Sequence, residues 1–273
     1  MTTNSLTDSI SAYVSGFGQR RVLVLGDAIL DEYLIGECSR ISPEAPVPVL
    51  RVSKRRSVLG GAANTAANII SLGGRATLIT LAGADEAAAI LKGRAADAGV
   101  DIVAITHGSP TLRKTRVVSQ QQQMVRLDYE DVQSASPATE AEILRAFDAH
   151  LPASDIVVIS DYAKGFVSPA VARTVIERAH AAGKQVIVDP RPQHRDSYIG
   201  CDYITPNWKE ARGLLNLPDA DPLPETVTAV ASALASKLST NVVLTLGPHG
   251  ILSAAATARK SSRSRPWRER YST

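Results

Sequence analysis

Cysteine is nearly absent from this 273-residue chain: Cys38 and Cys201 stand far apart and form no CxxC or metal-ligand spacing. A disulfide-stapled secreted fold and a cysteine-built zinc site are therefore not expected. The five histidines include no HxxxH pair, which argues against a histidine-built metal centre. No apolar run approaches the length of a bilayer span. The opening MTTNSLTDSI has neither the basic region nor the apolar core of an export signal. These absences point to a soluble protein of the reduced cytoplasm with no membrane partner. No GxGxxG follows the first apolar run, which disfavours a dinucleotide-binding dehydrogenase. No internal repeat is found, and glycine is missing altogether after Gly250.

Net charge is +3, but it is unevenly placed. Residues 257–273 hold six basic residues (Arg259, Lys260, Arg263, Arg265, Arg268, Arg270) against the single acid Glu269, so the remainder is slightly acidic. A nucleic-acid partner would rest on that tail alone and is not expected. Hydrophobic content of 44% and charged content of 21% are those of an ordinary globule able to bury a sizeable core.

Short apolar runs alternate with helical stretches that stop at glycine. Strands are expected at 21–25, 76–81, 100–106, 155–160, 185–188, 203–204 and 242–246. Helices are expected at 62–72, 85–98, 169–182, 208–215 and 226–238. This rhythm predicts an α/β fold, a mostly parallel sheet with helices on both faces. Two stretches break it. The run SRISPEAPVPV carries Pro43, Pro46 and Pro48, so it is an edge or a separate extended flap. Val47–Ser53 and Arg113–Leu127 alternate polar and apolar residues and predict a small β lid, with segments at about 34–56 and 108–130. Gly60-Gly61-Ala62-Ala63-Asn64 opens a helix whose bare amides can approach a polar ligand.

Ligands of open α/β sheets bind beyond the carboxyl ends of the strands. The polar residues there are Asp27 and Asp31, Asp161 and Lys164, Asp189 and Arg191, Asn207 and Glu210, and Thr245 and Gly247. Each alone is as readily a helix cap or turn former, but five such clusters in register predict a site.

These residues resemble the ribokinase-like (PfkB) carbohydrate kinases over roughly the first 250 positions. The similarity is carried by LGDAILDEYLIG, SRISPEAPVPV, GGAAN, SDYAKG (Ser160 to Gly165), DPR (Asp189 to Arg191), TPNWKE (Thr205 to Glu210) and TLG (Thr245 to Gly247). SRISPEAPVPV and SDYAKG point to the branch that phosphorylates a heptose 7-phosphate on the way to ADP-heptose. The resemblance implies ATP-dependent transfer to the anomeric hydroxyl, giving the 1,7-bisphosphate. Asp27, Asp31, Gly60, Gly61, Asn64 and Asp161 would then face the sugar, and Lys114, Arg116 or Lys164 its phosphate. Asp189, Asn207, Glu210, Thr245 and Gly247 would line the ATP side, with Glu210 reaching Mg²⁺ through water. A homodimer through the lid is also implied.

The chain departs from this pattern in one place. The resemblance calls for a Gly-Ala-Gly-Asp segment whose Asp is the base, and none occurs. Instead ILSAAAT runs into ARKSSRSRPWRERYST, which has no strand alternation and no apolar helical face. The expectation is a kinase domain over 1–256, incomplete at its end, followed by a foreign, out-of-frame or natively disordered basic tail over 257–273. Weak or absent turnover is expected, since a general base contributes about 10²–10⁴ in rate. The alternatives are a non-catalytic sugar-phosphate-binding or dimerising remnant, or a PfkB kinase for another sugar.

Overall fold

The computed structural model describes residues 16–132 and 134–256; the tail that the sequence sets apart lies outside the described residues. β1 (Arg21–Gly26) is buried from Val22 onward. Its side chains alternate between two cores, Leu23 and Leu25 on one face and Val22 and Val24 on the other. After β1 the chain leaves the main sheet as a long antiparallel hairpin, β2 (Ala28–Ile41) and β3 (Pro48–Gly61). It returns through α1 (Ala62–Ser71) to β4 (Arg75–Ala82), and through α2 (Glu86–Asp97) to β5 (Asp101–Thr106). A second hairpin, β6 (Arg113–Ser119) and β7 (Gln122–Tyr129), precedes α3 (Pro137–His150), β8 (Ile156–Ser160), α4 (Pro169–Ala181) and β9 (Gln185–Asp189). The described chain closes with β10 (Tyr203–Ile204), α5 (Trp208–Leu214), α6 (Pro224–Leu238), β11 (Asn241–Thr245) and β12 (Ile251–Ala254). No described helix is long and apolar enough to cross a membrane.

Among the described residues the main sheet has eight strands in the order β12-β11-β10-β9-β8-β1-β4-β5, parallel except for β12. The order reverses between β1 and β8, the switch point at which open α/β sheets bind ligands. On one face lies the larger core, to which α3 contributes Phe147, α4 Val175 and α6 Leu234. On the other, α1 and α2 cover β1 and β4 through Ala63, Ala66 and Leu91. Along this second face Ile187, Tyr203 and Val243 are only half-buried, whereas their neighbours Val188, Ile204 and Val242 are buried on the first. Four helices begin at side-chain caps: Asp85, Ser136, Ser168 and Asn207 each accept an N–H three residues on.

The two hairpins form a separate sheet in the order β3-β2-β6-β7. It differs from the expected lid in extent, because the first hairpin starts at Ala28 and ends at Gly61, and β2 pairs in parallel with β6. Pro43 and Pro46 lie in the turn of the first hairpin, and Pro48 opens β3, an edge strand that loses nothing by lacking one N–H. α3 and β12 were not anticipated: no glycine ends α3, and β12 is only four residues long.

β1 and β8 approach closely at their carboxyl ends. A Cβ placed on Gly26 would come 1.9 Å from the Ser160 carbonyl oxygen, a backbone atom that cannot move without the strand. Gly26→Ala is therefore expected to destabilise the fold by about 3 kcal/mol, the upper end of what overpacking costs, as measured by urea unfolding.

Candidate active site

Asp27 follows β1 directly and is 2% exposed. Its Oδ2 accepts the backbone N–H groups of Tyr162 at 2.9 Å and Lys164 at 3.1 Å, and its Oδ1 accepts that of Phe166 at 3.0 Å. Burial pushes this carboxyl upward, the three donors pull it back, and the nearby Asp161 charge adds to the rise. A group that accepts three N–H bonds and donates none acts as a carboxylate. Asp161 is fully buried: Oδ1 accepts Ala163 N–H at 2.6 Å, and Oδ2 contacts the Tyr198 hydroxyl at 2.5 Å and His194 Nδ1 at 2.6 Å. The bond to Asp161 raises the pKa of His194 above its usual range. Two carboxylates expected at the sugar are thus corrected to internal anchors. The Asp27 oxygens and Asp161 Oδ1 are occupied by the loop after β8, whose Ala163 has a φ of +53°, and Asp161 Oδ2 by Tyr198 and His194 from the segment after β9.

That loop carries Tyr162 and Lys164 to the rim of a cavity of about 540 Å³ between the lid and the main sheet. From the lid come Asp31, Lys114 and Arg116, and from the end of β3 and the start of α1 Gly60, Gly61 and Asn64, all singled out in the sequence. The lid residues share one face because β2 and β6 pair Asp31 with Lys114, and side chains alternate along a strand. Gly61 has a φ of +57°, and a Cβ there would meet the Asp27 carbonyl oxygen at 2.2 Å. No side chain caps α1 at Gly61, and of its first N–H groups that of Ala62 goes to the Asp27 carbonyl oxygen.

Sequence reasoning missed Arg126, Tyr162, Ile29 and Leu59, which also line the cavity. Arg126 was detectable, since it pairs across the lid with Arg116 as Asp128 does with Lys114. Arg191, noted at the end of β9, also lines the cavity and stacks over the Tyr162 ring, 4.9 Å from its centre.

The expected ATP-side residues occupy neighbouring strand ends but do not line this cavity. Asn207 and Glu210 form a capping box at the start of α5: Asn207 Oδ1 accepts Glu210 N–H and Glu210 Oε2 accepts Asn207 N–H, both at 2.9 Å. Glu210 Oε1 holds Arg191 Nη1 at 2.6 Å, which links this row to the cavity. Thr245 forms a bridge with Asn207, and Gly247 stands in open space beyond it. Asp189 is pushed up to about 6 by burial first and then by the Glu210 charge, with Arg191 opposing. Among the described residues no group of three or more His, Cys, Asp or Glu is disposed to hold a metal. Mg²⁺ bound through its own waters would meet Asp189 and Glu210 here, with Glu210 already holding Arg191 and the Asn207 N–H.

Two outcomes are expected. Asp27→Ala removes the acceptor of three buried or half-buried N–H groups, each worth about 1–3 kcal/mol when left unpaired. The variant should lose several degrees in thermal melting and expose the 162–166 loop to proteolysis. Asp189 binds its proton more tightly folded than unfolded, so folded stability falls as pH rises from about 4 to about 6 and then levels. Asp189→Asn should flatten that fall in denaturant titrations across the same range.

Comparison with known proteins gives the family and the fold. The profile described as "pfkB family carbohydrate kinase" matches residues 19–266, past the boundary at Thr257 expected from composition. The chain is 44% identical over 220 residues to the "Bifunctional protein HldE" of Caulobacter vibrioides, covering 79% of this chain and 45% of that protein. It is 46% identical over 194 residues to the "D-beta-D-heptose 7-phosphate kinase" of Bordetella bronchiseptica, covering 70% and 60%. The chain thus spans about half the length of the curated relatives it matches. Among solved structures, phosphofructokinase-2 from Escherichia coli in complex with fructose-6-phosphate superposes with a TM-score of 0.69 at 22% identity, covering 92% of this chain and 82% of that one. The profile match over most of its length makes this chain a member of the pfkB family of carbohydrate kinases.

Proposed function

We propose that the cavity between lid and sheet receives a sugar phosphate, and that the chain acts on D-glycero-D-manno-heptose 7-phosphate at its anomeric hydroxyl. The observation that carries this reading is the composition of the cavity wall. Lys114, Arg116, Arg126 and Lys164 surround it with positive charge, while Asp31 and Asn64 offer hydrogen-bond partners for hydroxyls. The relatives' names support the heptose. The 1,7-bisphosphate would be the product.

ATP would supply the phosphoryl group, with Mg²⁺ shielding its charge. On this side the chain contributes the carboxylate row of Asp189 and Glu210, with Asn207 fixing Glu210 and with Thr245 and Gly247 at the neighbouring strand end. Asp31 would orient the sugar from the lid, and the amino end of α1, which no side chain caps, would favour negative charge developing nearby. Asp27 and Asp161 hold the loop that places Lys164 and Tyr162. No Gly-Ala-Gly-Asp occurs among the 273 residues, so none is assigned as the base.

A second copy of the chain is the proposed partner of the outer lid face. Val125, Leu127 and Tyr129 are exposed there, on the side of β7 opposite Arg126 and Asp128.

Calorimetric titration of the polypeptide with heptose 7-phosphate tests the reading. Arg116 Nη1 contacts Asp31 Oδ1 at 2.5 Å and is three-quarters buried. Arg116→Met should weaken sugar-phosphate binding by about 10–100-fold, whereas the unphosphorylated heptose should be much less affected. Equal binding of the phosphorylated and unphosphorylated heptose by the unaltered chain would contradict the proposal.

A further inference from the structure

Every cation at the cavity is already paired with a carboxylate of the protein, and these pairs are not equivalent. Arg126 and Asp128 meet in a two-point contact at 2.8 and 3.0 Å on the same strand, and Lys114 Nζ adds a bond to Asp128 at 3.2 Å. Glu130, the first residue past β7, does something different. Its Oε1 holds Lys164 Nζ at 2.6 Å and its Oε2 faces Lys114 Nζ at 3.6 Å. One carboxylate thus bridges an ammonium group of the lid and one of the loop after β8. The hydrogen bond from Lys164 holds its carboxyl below the ordinary range, so it is ionised at neutral pH.

A phosphate monoester dianion offers several acceptor oxygens and can satisfy two ammonium groups at once, whereas a sugar hydroxyl cannot displace a carboxylate from either. Asp128 keeps its two-point contact with Arg126 if Lys114 leaves. Glu130 has no such second anchor among the ion pairs, and its side chain is already a quarter exposed, so it can turn to water. We propose that Glu130 is a specificity-determining residue: a built-in counter-ion that a sugar phosphate must displace from Lys114 and Lys164. With Glu130 in place, a neutral sugar leaves the internal pairs intact and gains nothing from the two cations. A monoanion compensates only one of them. Discrimination then comes from a repulsive element as well as an attractive one. This inference rests on the sugar-phosphate reading of the cavity.

The test is calorimetric titration of the full chain and its Glu130→Gln variant with inorganic phosphate, sulfate and heptose 7-phosphate. Glu142→Gln, whose Glu142 partners Arg145 on the exposed side of α3, controls for the change in net charge. Glu130→Gln should bind phosphate and sulfate about tenfold more tightly, a change modest beside the Coulomb energy of charges at this spacing. In a parallel titration with nitrate, a monoanion, it should lose part of the preference for dianions, while Glu142→Gln behaves as the unaltered chain. Glu130→Asp, which keeps the charge but shortens the reach, should fall between, and it preserves the test if the Gln variant is unstable. Unchanged or weaker anion binding by both variants, or no anion binding by any of them, would overturn the proposal. If Glu130→Gln tightens phosphate binding but no form binds heptose 7-phosphate, the counter-ion role stands and the heptose reading fails.

Discussion

The carboxylate of Asp27 is the interaction on which the site depends. It sits where the strand order of the main sheet reverses, and its two oxygens take three backbone N–H groups of the loop after β8. Its own carbonyl oxygen takes the N–H of Ala62, the first residue of α1. One residue therefore ties the end of β1 to both walls of the cavity, the loop bearing Lys164 and the helix opened by Gly61. Burying a carboxylate is costly unless its lone pairs are filled. Filling them with backbone donors fixes the loop more firmly than side-chain contacts could, since the donors have no rotamers to lose.

From that fixed point the charges of the cavity follow. The lid presents alternate residues of β2, β6 and β7 to the sheet, which brings Asp31, Lys114, Arg116, Arg126 and Asp128 onto one face. Opposite them stand Lys164 and Arg191, held by Glu130 and Glu210. The result is a cavity rich in cations yet internally neutralised. An arriving anion exchanges partners with resident carboxylates instead of meeting bare charge. Such an arrangement trades affinity for selectivity.

Much of the fold was legible in the sequence because its signals are local and repeated. Apolar runs such as Val22–Leu25 need cover on both faces, and glycines such as Gly99 and Gly183 end the helices before them. The first lid strand was not read in full, because DAILDEYLIG continues the apolar character of β1 and gives no break between two sheets. α3 escaped notice because no glycine ends it: it starts at a Ser-Pro cap as α4 does, but runs on into Leu151–Ala153 where α4 stops before Gly183. At the site, eight of the sequence's candidates meet in one cavity, among them Asp31, Asn64 and Lys164. Asp27 and Asp161 were misread for a physical reason. An acid at a strand end can face a ligand or satisfy its own backbone, and residue type alone does not say which. Asn207 and Glu210 show the same duality, since their spacing is that of a capping box.

Hydrogen exchange of the chain with and without heptose 7-phosphate tests most directly whether this cavity is the sugar-phosphate site. The account predicts slowed exchange in β6, β7, residues 59–64 and the 162–166 loop, with little change at the amino ends of the main-sheet strands. Protection confined to the amino ends, where Arg21 and Arg75 line another cavity, would contradict it, as would protection nowhere at saturating ligand.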